Sequence, residues 1–206
     1  MARLILATNN RNKLREIREM LADTDISVIS QQEAGIDTEA EETGETFAEN
    51  AAIKAQTIRA LLQERGKACF VLADDSGLAV DALNGEPGVH SHRWAGENAT
   101  DADRIQKLLD ALKDVPDAQR GAHFACVMCL ITPEGRQMTF EGRVEGVILH
   151  ECRGENGFGY DPVFGYQGRS FAEIPAEEKN AVSHRHNALV QVTDWMKQNM
   201  QYPMQI

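Results

Sequence analysis

A chain of 206 residues, 42% hydrophobic and 26% charged, is ordinary for a folded protein with one sizeable core or two small lobes sharing a sheet. Its formal net charge of -11 argues against a general nucleic-acid coat or a binder of anionic membranes, but leaves room for an anionic small molecule held by a local cluster of Lys and Arg. No stretch approaches the ~20 apolar residues that span a bilayer, and the opening MARLILATNN meets polar residues too soon for a secretory signal. The expected location is cytoplasmic, with no nucleic-acid and no membrane partner.

In chain order, RLILA (residues 3–7) reads as a strand buried on both faces. The polar loop TNNRNK follows, then Leu14, Ile17 and Leu21 at helical spacing, then a second strand, ISVIS (26–30). The acidic segment IDTEAEETGET leads into a long helix with Phe47, Ala51, Ala55, Ile58 and Leu62 along one stripe. Thr46 and Glu49 form a capping box at its start. ACFVLA (68–73) is a third strand, and this β-α-β-α-β order implies a parallel core to the sheet. A turn-rich stretch over 78–96 precedes a helix capped by Thr100 with Asp103, carrying Ile105, Leu108, Leu109 and Leu112. AHFACVMCLIT and RQMTFEGRVEGVIL flank PEG as an antiparallel hairpin. The Gly-rich RGENGFGYDPVF comes next, and Leu189, Val192 and Met196 mark a final amphipathic helix. The fold class is α/β: a mixed sheet with a parallel core and an antiparallel hairpin extension. Residues 1–206 read as one domain of two lobes, with no linker long enough to separate them. The cysteines (Cys69, Cys126, Cys129, Cys152) lack a second C-x-x-C pair for zinc and read as buried and reduced.

Four polar clusters could carry chemistry. In TNNRNK, backbone N–H groups at a helix start favour an anion. Thr8 and Asn10 could donate to phosphate oxygens and Lys13 supplies a charge; a solvated turn is the alternative. In EETGET, Glu41 or Glu42 is a candidate metal ligand against a plain helix start, with Lys54 pointing either to the same region or to solvent. In VLADDSGLAV, Asp74, Asp75 and Ser76 follow an apolar run. Oxygen-only ligands at a strand end suit Mg²⁺, and a carboxylate beside the metal can take a proton from water. An Asx-type turn between two strands is the alternative. Finally, Phe158 and Tyr160 offer a stacking face for a base and Asp161 an acceptor, while Lys179, His184 and Arg185 offer donors that suit a 6-oxo purine. Alone, SHRH reads as a polar surface helix start.

Together these blocks resemble the inosine/xanthosine triphosphate pyrophosphatase family. TNNRNK is similar to its T-x-N-x-x-K loop, and EETGETFAENAAIKA, ADDSGLAVDALNGEPGVHS, GFGYDPVF and EEKNAVSHR follow in the same order, from Leu4 to about Leu189. The resemblance implies an active cleft between two lobes, a homodimer, and Mg²⁺-dependent release of pyrophosphate from purine nucleoside triphosphates such as ITP, dITP and XTP. It implies that Thr8, Asn9, Asn10, Arg11, Asn12 and Lys13 contact the triphosphate. Asp75 matches the proton acceptor and metal ligand, Glu42 a second metal-associated acid, and Ser76 a substrate contact, with Lys54 as a possible partner for the phosphates. Phe158, Gly159, Tyr160 and Asp161 match the base loop, and Lys179, His184 and Arg185 the remaining nucleotide contacts. Rival readings are a non-catalytic nucleotide sensor and a pyrophosphatase for modified pyrimidine nucleotides.

Overall fold

The computed structural model describes residues 2–200. Seven strands form one sheet in the order β2-β1-β3-β4-β5-β6-β7. They are β1 (Ala2–Leu6), β2 (Ile26–Ser30), β3 (Phe70–Val80), β4 (Gly121–Ile131), β5 (Gln137–Ile148), β6 (Phe164–Tyr166) and β7 (Arg169–Ser170). The helices are α1 (Arg11–Met20), α2 (Phe47–Glu64), α3 (Asp101–Ala111), α4 (Ala176–Val182) and α5 (His184–Met200). β1 runs parallel to both β2 and β3, with Leu4 opposite Val28 on one side and Phe70 on the other. The expected parallel core is therefore present. β4 and β5 are sheet neighbours joined only by residues 132–136, too short a link for a parallel crossover, so they run antiparallel. β6 and β7 continue the antiparallel pairing. Both capping boxes, Thr46 with Glu49 and Thr100 with Asp103, are formed.

The chain folds into two compact units, interleaved in sequence. Within the described residues, the first unit comprises 2–75, Val127–Gly142 and 185–200, and the second Ser76–Cys126 and Arg143–His184. In the first, the period of two along a strand divides the side chains between faces. Ile5, Ala7, Val71, Ala73, Cys129 and Ile131 pack against Ala51, Ala55, Ile58 and Leu62 of α2. The intervening Leu4, Leu6 and Leu72 are also fully buried, on the opposite face. That double burial is why these strands read as unbroken apolar runs. In the second unit, Leu78 and Val80 join Ile105 and Leu108 of α3, Leu112 just after it, and a set of buried aromatics. Phe124 and Phe164 lie 4.5 Å apart between centroids, and Phe164 and Phe171 4.9 Å.

Two expectations are corrected. The third strand does not stop at Ala73: β3 runs unbroken through Asp74, Asp75, Ser76 and Gly77 to Val80, so the acidic pair is not in a turn. Cations from other elements make this possible, as described below. The cysteines are all unbridged, but only Cys126 and Cys129 are buried; Cys69 is half-buried and Cys152 exposed.

Candidate active site

Because β3 stays extended, Asp74 and Asp75 project to opposite faces of the sheet. Asp74, on the face of Leu72, is 1% exposed. Its Oδ2 lies 3.0 Å from Lys13 Nζ of α1 and 3.5 Å from Arg185 Nη2 of α5. Arg185 is itself buried and pairs with Glu16 of α1. Burial opposes the charge on Asp74, but Lys13, Arg185 and Lys54 outweigh it and hold the carboxyl well below the usual carboxylate range. At neutral pH Asp74 is therefore a buried, ionised counter-ion to Lys13 and Arg185.

Asp75 belongs to the face covered by α2. Its Oδ2 accepts a hydrogen bond from Asn50 Nδ2 at 3.2 Å, and its Oδ1 lies 3.4 Å from Lys54 Nζ. Lys54 also donates to Glu42 Oε1 at 2.8 Å, so one ammonium bridges the two carboxylates. Burial pushes the Asp75 carboxyl up; Lys54 and Lys13 pull it down, and the nearby Glu42 and Asp74 charges push it up again, leaving it raised overall. Lys54 is raised as well: its own burial disfavours the charge, but three carboxylates around it more than compensate. A carboxylate of raised pKa, buried yet ion-paired, is suited to taking up a proton.

Asn50 was not found from the sequence. It is fully buried, and its Oδ1 accepts from the N–H of Gly44 at 2.8 Å while its Nδ2 reaches Asp75. A Cβ on residue 44 would meet Glu49 Cβ at 2.6 Å and Asn50 Oδ1 at 2.8 Å, so this approach requires glycine. The available signal was a polar residue beside Ala51 inside an otherwise apolar stripe. Lys54, four residues on, shares that edge of α2 and points to Asp75 rather than to solvent.

The loop of residues 8–13 is organised as a helix cap. Asn10 is the N-cap of α1; its Oδ1 accepts from the N–H groups of Asn12 and Lys13, and Thr8 Oγ1 accepts from the Asn10 N–H. The Asn10 carbonyl oxygen thus satisfies the helix start, a role not expected of it, and two N–H groups assigned to an anion are already engaged. Asn9 and Arg11 are exposed. Ser76, next to Asp75 in β3, is half-buried and begins the second unit.

The second unit holds the loop preceding β6. Asp161 and Lys179 are both buried, with Nζ and Oδ2 2.6 Å apart. The same Oδ2 accepts from the Phe158 N–H at 2.9 Å. Lys179 Nζ sits 5.1 Å from the centre of the half-buried Phe158 ring. A Cβ on residue 157 would fall 2.0 Å from Asp161 Oδ2, and Gly157 has φ +75°. Asp161 therefore holds this loop and Lys179 through its Oδ2.

Three more expectations change here. Tyr160 is 4% exposed within the apolar core, and its hydroxyl donates to the Ser91 carbonyl at 2.9 Å, so its ring is not an open face. His184 is buried with its ring stacked on Phe124 at 4.9 Å, so the start of α5 is not a polar surface. Arg185 directs its guanidinium to Glu16 and Asp74, where it acts as a counter-ion.

The first unit thus holds a buried acid pair split between two sheet faces, and the second a loop that sets one aromatic ring beside one buried lysine. The Ham1 family model matches residues 4–195, and the chain belongs to the Ham1 family. It is 47% identical over 201 residues to the dITP/XTP pyrophosphatase of Clostridium perfringens (strain 13 / Type A), covering 96% of this chain and 98% of that one. It is also 47% identical over 201 residues to the dITP/XTP pyrophosphatase of Photorhabdus laumondii, covering 96% and 99%. Among solved structures, the HAM1 protein from Coxiella burnetii superposes with a TM-score of 0.84 at 45% identity, over 96% of this chain and all of that one. The Staphylococcus aureus Ham1 protein gives 0.82 at 39% identity, over 95% and 98%.

Proposed function

We propose that this chain hydrolyses purine nucleoside triphosphates carrying a 6-keto group, ITP, dITP and XTP, to the monophosphate and pyrophosphate, and so removes deaminated nucleotides from the pool. The observation that carries this reading is Asp75: a buried carboxylate of raised pKa, oriented by Asn50 and paired to Lys54. The dITP/XTP pyrophosphatase names of the relatives supply the substrate class.

In the overall reaction, NTP and water give NMP and pyrophosphate. Asp75 takes the proton of the attacking water, which makes the oxygen a better nucleophile for phosphorus. Lys54 keeps Asp75 ionised enough to accept it. Lys13, held by Asp74, offsets phosphate charge. In the second unit, Phe158 offers a ring face to the base and Lys179 a donor toward O6. An adenine amino group would leave such a donor unpaired, which disfavours ATP.

Mg²⁺ is the proposed cofactor, and the donor set fits it. Asp75 and Glu42 are oxygen donors close enough to share one cation, Lys54. Among the described residues no group of three or more His, Cys, Asp or Glu gathers as a metal cage. Two carboxylates completed by water and phosphate oxygens are what Mg²⁺ commonly takes. When bound, the ion supplies positive charge to the phosphate oxygens. A homodimer and a cytoplasmic location complete the proposal; among the described residues no helix is long and apolar enough to cross a membrane.

The test is a panel of ITP, XTP, ATP and modified pyrimidine triphosphates with Mg²⁺, scored for pyrophosphate against phosphate release. Pyrophosphate from ITP and XTP well ahead of ATP is expected. Binding without turnover of any triphosphate would replace this reading with a sensor, and preference for the pyrimidines would replace the substrate class.

A further inference from the structure

The direction of the Phe158 ring depends on the φ and ψ of that residue, set by the peptides on either side. Glycines at 157 and 159 leave the neighbouring backbone free to move, so something must hold both peptides. The first N–H, that of Phe158, is held by Asp161. The second, that of Gly159, donates to Asp101 Oδ2 at 2.8 Å. Asp101 lies far away in sequence, at the first position of α3.

Asp101 is itself oriented. Its Oδ1 accepts from Arg104 Nη1 at 2.6 Å, one turn along the helix. The Arg104 side chain is buried, and its Nε donates to the His92 carbonyl at 2.5 Å. The segment before α3 grips the loop again, since the Ser91 carbonyl accepts from the Tyr160 hydroxyl. Ser91 is in turn fixed by donating to the Gly88 carbonyl at 2.6 Å and accepting from the Leu78 N–H at 2.9 Å. Three successive loop residues, 158, 159 and 160, are thus tied by Asp161, Asp101 and Ser91. Of these, Asp101 holds the peptide C-terminal to Phe158 and lies outside the loop altogether.

We propose that Asp101, held by Arg104, is a positioning residue for base selection: it sets the orientation of the Phe158 ring without touching the substrate. This rests on the pyrophosphatase reading above. Its helix-capping neighbours provide an internal control. Asp103 caps the same end of α3 through Thr100 but makes no bond to the loop among those the structure records.

The experiment compares the unaltered protein with Asp101→Ala, Asp101→Asn and Asp103→Ala, measuring pyrophosphate release from ITP and ATP together with thermal unfolding. Asp101→Ala is expected to raise KM for ITP about five- to tenfold, with kcat within about twofold and the ITP preference over ATP reduced. Asp103→Ala should lower the melting temperature and leave KM for ITP unchanged. If Asp101→Ala does not fold, Asp101→Asn decides, with an expected KM increase of about twofold from the weakened hold of Arg104. An unchanged KM in the folded Asp101 variants overturns the proposal. So does an equal KM rise in Asp103→Ala, which would make helix stability the cause. Failure of the unaltered protein to turn over any triphosphate overturns the functional reading, and this inference with it.

Discussion

Asp74 and Asp75 are chemically identical, adjacent and both nearly inaccessible, yet their carboxyls are displaced in opposite directions. The difference lies in what covers each face of β3. Over Asp74 lie two cations, Lys13 and Arg185, close enough to overcome the cost of burial. Over Asp75 lies one cation shared with a second acid, together with a neutral amide. One extended strand therefore separates a like-charged pair into a fixed counter-ion and a carboxyl of raised pKa. Separation by the pleat does what distance along the chain does not.

The sharpest way to break this comparison is Asp75→Asn. The substitution keeps the shape but removes the charge and the basicity and leaves one acceptor for the two donors Asn50 and Lys54, and turnover should fall about 10²- to 10⁴-fold with nucleotide binding retained. Wild-type rates of ITP hydrolysis would mean the acceptor lies elsewhere. Asp74→Asn should act on the fold instead. It leaves Lys13 and Arg185 without their shared anion, at a cost of about 3–5 kcal/mol in urea unfolding. A stability loss no larger than that of Asp75→Asn would erase the distinction. Asn50→Ala should sit between the two roles, with stability lowered by about 1–3 kcal/mol through the unpaired Gly44 N–H and kcat reduced more than KM is altered.

Acid titration separates the same pair more gently. Asp75 must be ionised to accept a proton and its pKa is raised, so turnover should fall as pH drops through a value above that of an ordinary aspartate. Asp74 is depressed in the folded state. Its contribution to stability is fully present above the unfolded value of about 3.9 and is lost only as pH falls through the lower folded value. Activity should therefore vanish at a pH where circular dichroism still reports the intact fold. Coincident losses would show that both carboxylates titrate with unfolding.

The sequence revealed features set by local chemistry. Thr46 with Glu49 and Thr100 with Asp103 announce helix starts because each cap closes within three residues. The apolar runs of β1 and β3 announce burial on both faces. What escaped was whatever depended on distant partners. Asp74 and Asp75 resemble a break in a strand until Lys13, Lys54 and Arg185 are known to face them. Tyr160 and Arg185 look like surface chemistry until Ser91 and Glu16 supply buried partners for their polar ends. Asn50 and Asp101 lie on helices whose other residues explain them completely, so neither stood out.

The position of Arg185 has a consequence for how the chain is made. Asp74 emerges from the ribosome early, whereas its guanidinium partner belongs to the final helix. At synthesis rates on the order of 5–20 residues per second, the nascent first unit holds an acid for several seconds before that cation exists. Until α5 is made, Lys13 is the cation within reach of Asp74 in a salt bridge. A message cut short before that helix yields a product in which the buried Asp74 lacks its arginine.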